Sequence, residues 1–135
     1  MNSTDLGLLI LRVGIGLNMA LLGGWGMLSG GEGMLRQVGS SMPGFGLDFM
    51  PLVWGGLAAF AEFGCSILLA LGIYFRLAAF MLAFTMIVAI SVHLRMPPDS
   101  PMAGWHGASA AIANLVVFLA LLASGPGKHV LTLKK

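Results

Sequence analysis

The chain has 135 residues, 58% of them hydrophobic and only 9% charged, with a formal net charge of +2 and a mean hydropathy of +0.94. A water-soluble domain of this size has no core large enough to hide so much apolar surface, so the composition points to lipid as the solvent. The small, scattered positive charge also argues against a nucleic-acid partner.

Crossing ~30 Å of hydrocarbon takes roughly 20 apolar residues at ~1.5 Å rise each. Four runs fit: Leu6 to Leu28, Pro51 to Ile73, Leu77 to Leu94 and Trp105 to Ala123. Alternation of period two is absent, which argues against a closed β-barrel and leaves helices as the structure that satisfies every backbone group in lipid. The expectation is an all-α, polytopic membrane protein: a single domain over residues 1–135, built as a four-transmembrane-helix bundle.

The first span follows Met1-Asn2-Ser3-Thr4-Asp5, with no basic cluster before it and no small-residue cleavage site after it. It therefore reads as a retained helix, capped by Ser3, Thr4 or Asp5. Gly16, Ala20 and Gly24 continue the face of Arg12 as a small-residue stripe suited to close helix contact, and Asn18 is expected to hydrogen-bond between helices. The connection Ser29 to Met50 is long and glycine-rich. Within it Met34, Leu35 and Val38 share helical spacing beside Glu32, Arg36 and Gln37, so it is either a short amphipathic helix resting on the membrane surface or a plain loop.

In the second span Glu62 sits near the middle, where an ionised carboxylate costs several kcal/mol. Gly55, Ala58, Ala59, Cys65 and Ser66 share its face by three- and four-residue spacings, so Glu62 should point inward along small residues, with Ser66 as a further interhelical polar group. If this stripe meets that of the first span, Glu62 and Arg12 are a candidate buried polar pair. The other reading has Arg12 snorkelling to the surface and Glu62 protonated, donating a hydrogen bond to a neighbouring helix. Cys65 is the one cysteine, which excludes an intramolecular disulfide; it reads as a small packed residue.

The third span ends at His93 and the fourth opens at His106, separated by Met96-Pro97-Pro98-Asp99-Ser100-Pro101, which cannot continue a helix. Trp25, Trp54 and Trp105 fall at a similar depth. Together His93, His106, Trp25, Trp54 and Trp105 form a candidate ligand pocket for a quinone headgroup, with haem the less favoured occupant. The histidine spacing matches no metal motif, and the ten methionines follow no repeated pattern, so no metal site is assigned. Gly125-Pro126-Gly127 stops the last helix and leaves a basic tail over 124–135.

Lys and Arg near the span ends set the orientation. Arg76, Lys128, Lys134 and Lys135 fall on the side of the termini, with Arg12 leaning toward it, against Arg36 and Arg95 opposite, so both termini are expected in the cytoplasm.

Trp54-Gly-Gly-Leu-Ala-Ala-Phe-Ala-Glu-Phe-Gly-Cys, Leu71-Gly-Ile-Tyr-Phe-Arg-Leu-Ala-Ala, Ala83-Phe-Thr-Met-Ile-Val-Ala with His93-Leu94, and the ending Gly125-Pro-Gly-Lys-His-Val-Leu131 resemble the DoxX family over nearly the whole chain. The resemblance implies a small four-helix bacterial inner-membrane protein, in a family that includes a subunit associated with thiosulfate-to-quinone electron transfer and partners of oxidative-stress proteins. It places Glu62 and Arg76 on recurrent acidic and basic positions and His93 on a frequent histidine. This chain departs from relatives that carry a histidine and a lysine where it has Gly23-Gly24-Trp25-Gly26-Met27, and a histidine and a glutamate where it has Ala110 and Ala113. Those departures remove polar groups that a catalytic member would use, and no catalytic residue is assigned. The functional expectation is a redox-associated, quinone-linked membrane subunit. The alternative is a non-catalytic scaffold or anchor for a partner protein, and a small-molecule transporter ranks third; the expected partners are the lipid bilayer and either a partner protein subunit or further copies of the chain in a homo-oligomer.

Overall fold

Residues 2–130 are described by the structure, a computed structural model, and those in regular structure are helical. In chain order the helices are α1 (Ser3–Ser29), α2 (Gly31–Gly39), α3 (Pro51–Leu71), α4 (Phe75–Arg95) and α5 (Gly104–Ser124). All but α2 are long and apolar enough to cross a membrane; α1, α4 and α5 outrun their hydropathy-derived spans by one to three residues at each end, whereas α3 stops at Leu71, short of the expected Ile73. Polar and small residues at the boundaries carry the helical hydrogen bonding past the point where hydrophobicity stops. Lys134 and Lys135 of the expected basic tail lie outside the described residues.

Local chemistry explains the helix ends. At the amino end of α1 the cap is Asn2, whose side-chain oxygen accepts from the Thr4 N–H at 3.5 Å, so Ser3, Thr4 and Asp5 sit inside the first turn instead. Pro51 opens α3, where its missing N–H costs nothing. Gly72, at φ 76°, closes α3 in the left-handed region: its N–H bonds the Leu69 carbonyl and that of Ile73 bonds Leu68. Gly125, at φ 80°, ends α5.

The long helices run back and forth, giving the bundle one end with the start of α1, the end of α5 and the α3–α4 turn, and an opposite loop end. α4 and α5 form a hairpin, α1 lies along α3, and α2 packs on the first turns of α3. The core holds Leu69, Leu82, Phe118 and Leu121, all fully buried, with a surround of alanines that lets the helices approach. Large apolar residues such as Ile10, Phe60, Leu77, Phe80 and Val116 face outward on every spanning helix. That inversion of the soluble pattern is what a lipid solvent demands.

The segment α2 is the amphipathic helix that the Met34, Leu35 and Val38 spacing suggests. Its hold on the bundle is backbone contact: Gly55 of α3 faces the Leu35 carbonyl, and a side chain at Gly55 would overlap it. On its exposed side Arg36 pairs with Glu32 at 2.7 Å, one turn away.

Candidate functional site

The two small-residue stripes meet. Gly16, Ala20 and Gly24 of α1 and Gly55, Ala59, Cys65 and Ser66 of α3 are all buried. A methyl group at Gly16 would lie 2.7 Å from the Ser66 carbonyl oxygen, and one at Gly24 would overlap the Phe63 backbone. Residue types small enough for this approach are the condition for the contact.

Both helices widen at this seam. α1 makes a π-type turn over Met19–Gly24 and α3 makes another over Ala61–Cys65, and the two pack on each other. Each such turn re-aims the side chains beyond it, and π-type turns recur at functional sites. Glu62 stands in the second of these turns. It is 8% exposed, and its Oε2 lies where a side chain at Gly23 would begin, so the absent side chain at Gly23 is the space the carboxyl occupies. No hydrogen bond to the carboxyl is found among the described residues. The Met19 side chain borders the same space, 3.5 Å from that Gly23 position, and Asn114 of α5 donates from Nδ2 to Met19 Sδ at 3.3 Å. A carboxyl, a thioether and a carboxamide from α3, α1 and α5 thus converge at mid-span. Beside them Trp25 and Phe63 meet at a tilt of 41° with centroids 6.2 Å apart, Trp25 being exposed on the bundle surface.

Arg12 is elsewhere. Gly23, the α1 residue facing Glu62, stands eleven positions beyond Arg12, or ~16 Å along the helix. The candidate Arg12–Glu62 pair is therefore not formed: Arg12 lies level with Gly72, and the ion pairs among the described residues are Arg36–Glu32 and Lys128–Asp5. The reason is register, since α3 ends level with Arg12 and so carries Glu62 toward the far half of α1. Arg12, 2% exposed, donates from Nη1 to the Pro126 carbonyl at 2.8 Å, while its Nε has no partner among the described residues. It sits at the carboxyl ends of both α3 and α5, where the negative helix termini favour a cation. The tail past α5 folds along α1, with the Lys128 N–H bonding Asp5 Oδ1 at 3.3 Å.

The five residues of the candidate ligand pocket have separate surroundings. His93 Nδ1 donates to the Met102 carbonyl at 2.7 Å and pins the proline-rich loop, while the His106 side chain is exposed. Trp54 packs edge-on against Phe49 at 5.8 Å, Trp105 is 70% exposed, and Trp25 belongs to the mid-span seam. Two cavities at the loop end, of about 340 and 110 Å³, are lined by residues of 39–51 and 92–97, and none of these five lines either. Ser66 is fully buried, its Oγ without a partner among the described residues, whereas Asn18 is exposed on the outer face of α1. Arg76 is exposed in the first turn of α4. Asn114 was not singled out from the sequence; an amide in the fourth apolar run, one residue past Ala113, was the available signal.

The family model described as DoxX matches residues 7–94, more than half of the chain, and the protein belongs to the DoxX family. The match runs from the second turn of α1 to Leu94 near the end of α4 and takes in both π-type turns; α5, with Asn114, lies beyond it. No curated protein and no solved structure matches the chain.

Proposed function

We propose that this DoxX-family membrane protein, with four apolar spans, works in the bacterial inner membrane with both termini in the cytoplasm, as the membrane-embedded subunit of a quinone-linked redox assembly. The observation that carries this reading is the Glu62 carboxyl, buried at mid-span with no hydrogen-bond partner among the described residues, next to an aromatic pair whose Trp25 opens on the bundle surface. A quinone arriving through lipid would slide its ring along Trp25 and Phe63 and place a carbonyl oxygen on the Glu62 carboxyl. Intramembrane acids facing a bundle interior mark such proton-handling positions. Reduction of the quinone takes two electrons from a partner subunit and two protons, one of which Glu62 can pass on. His93 and His106 are then aids to docking at the loop end and do not hold the headgroup.

The test is extraction in mild detergent followed by quantification of co-purified quinone. Near-stoichiometric quinone in the wild type, falling at least tenfold in Glu62→Gln, supports the reading. A scaffold that anchors a partner protein is the second reading, favoured by the loop end, where the candidate pocket residues line neither cavity. A stoichiometric companion protein with no quinone would establish it in place of the first.

A further inference from the structure

Asn18 is a polar side chain in an apolar span without a partner among the described residues. It stands two residues past Gly16, the midpoint of α1, is exposed on the bundle surface, and makes no side-chain hydrogen bond among the described residues. An amide there has no water to turn to, so leaving it bare is costly. The surface around it is ordered. Ahead of the π-type turn, Gly7, Leu11, Gly14 and Asn18 follow one another at spacings of four and three and are all exposed, forming one face turned away from the buried Gly16 and Gly24. Gly7 and Gly14 differ from those buried glycines in that a side chain at either would meet nothing within 4 Å. Within the chain they leave a recess that no neighbour fills, and each weakens the helix relative to alanine.

We propose that this face of α1 joins two copies of the chain, with the two Asn18 carboxamides hydrogen-bonded to each other across a two-fold axis along the membrane normal. The chemistry selects a second copy. A carboxamide carries both donor and acceptor and so complements itself, and two copies with the same topology bring Asn18 to Asn18 at one depth without further adjustment. An unrelated helix would need a polar group at that same level, and an acyl chain has none to offer. The four-three spacing is that of a left-handed helix pair, and the glycines let the backbones close until the amides touch.

The proposal is independent of the quinone reading. Its test uses donor- and acceptor-labelled copies of the full chain in phosphatidylcholine vesicles, diluted stepwise with lipid. Energy transfer should fall smoothly on dilution, and Asn18→Leu should raise the dissociation midpoint roughly tenfold. Gly14→Leu, which fills the recess, should do at least as much. Both variants should keep the wild-type circular dichroism and thermal midpoint, because neither residue is packed inside the chain. With Cys65→Ser as background, Leu11→Cys should give disulfide-linked dimers, whereas Leu119→Cys, exposed on α5, should not. Chance-level transfer at every dilution overturns the proposal, as does a dimer indifferent to both substitutions.

Discussion

Arg12 and Glu62 are both ionisable, both buried and both carried by the helix pair α1–α3, yet the fold treats them in opposite ways. Arg12 lies at the terminal end among helix carboxyl termini and holds the Pro126 carbonyl, so its neighbours were built to receive a cation. Glu62 lies at mid-span against Gly23, between two π-type turns, and receives no hydrogen bond from the described residues. One buried charge is consumed in holding the fold. The other is left with unspent hydrogen-bonding capacity, which is the condition for acting on something that is not part of the protein.

The largest expected effect breaks the seam that both regions share. Gly24→Leu drives a side chain into the Phe63 backbone, and a loss of about 3 kcal/mol or more is expected, read as a collapse of the thermal unfolding midpoint in detergent. A near-wild-type midpoint would show that α1 and α3 can part freely, and the contrast between the two regions would lose its basis.

Arg12→Leu comes next, at about 1–3 kcal/mol, since it leaves the Pro126 carbonyl without its donor. Hydrogen exchange should rise over residues 125–130 while any co-purified quinone is unchanged. Glu62→Gln is the mirror image. With no partner in the described structure to lose, it should alter stability by less than about 1 kcal/mol in either direction while abolishing quinone retention. If Glu62→Gln destabilises as much as Arg12→Leu, the carboxyl has a structural partner after all and the distinction fails.

The smallest effect calibrates the scale. Glu32→Gln breaks an exposed pair one turn apart on α2, and a change under about 0.5 kcal/mol is expected, shrinking further in high salt. A larger loss would mean that α2 is more tightly coupled to the bundle than its exposed charges suggest.

Much of this was legible in residue order. Hydropathy placed four spans within a few residues, and the small residues around Glu62 predicted that it points inward. Spacing offered α2 as one of two readings of the long connection, the other being a plain loop. The failures share one cause, which is that relative position between helices is a property of neither helix alone. Counting depth from span ends set Arg12 and Glu62 within reach of each other, but close glycine contacts slide α3 until Glu62 faces Gly23 and Arg12 faces Gly72. Asn18, expected to hydrogen-bond between helices, lies on the outer face of the bundle, because the buried stripe lies on the other side of α1. The five candidate pocket residues fall at like distances from their expected span ends and still have separate neighbours, since distance along a helix says nothing of azimuth.

Residue order by itself determined the solvent, the number of apolar helices and the inward aim of Glu62. These follow from hydrophobicity and helical period, which each segment carries on its own. Only the tertiary structure decided which partners the buried charges have, that both helices widen opposite each other, and that Asn114 reaches Met19. Those outcomes depend on how closely two backbones pack, and packing is a joint property of surfaces that lie far apart in the chain.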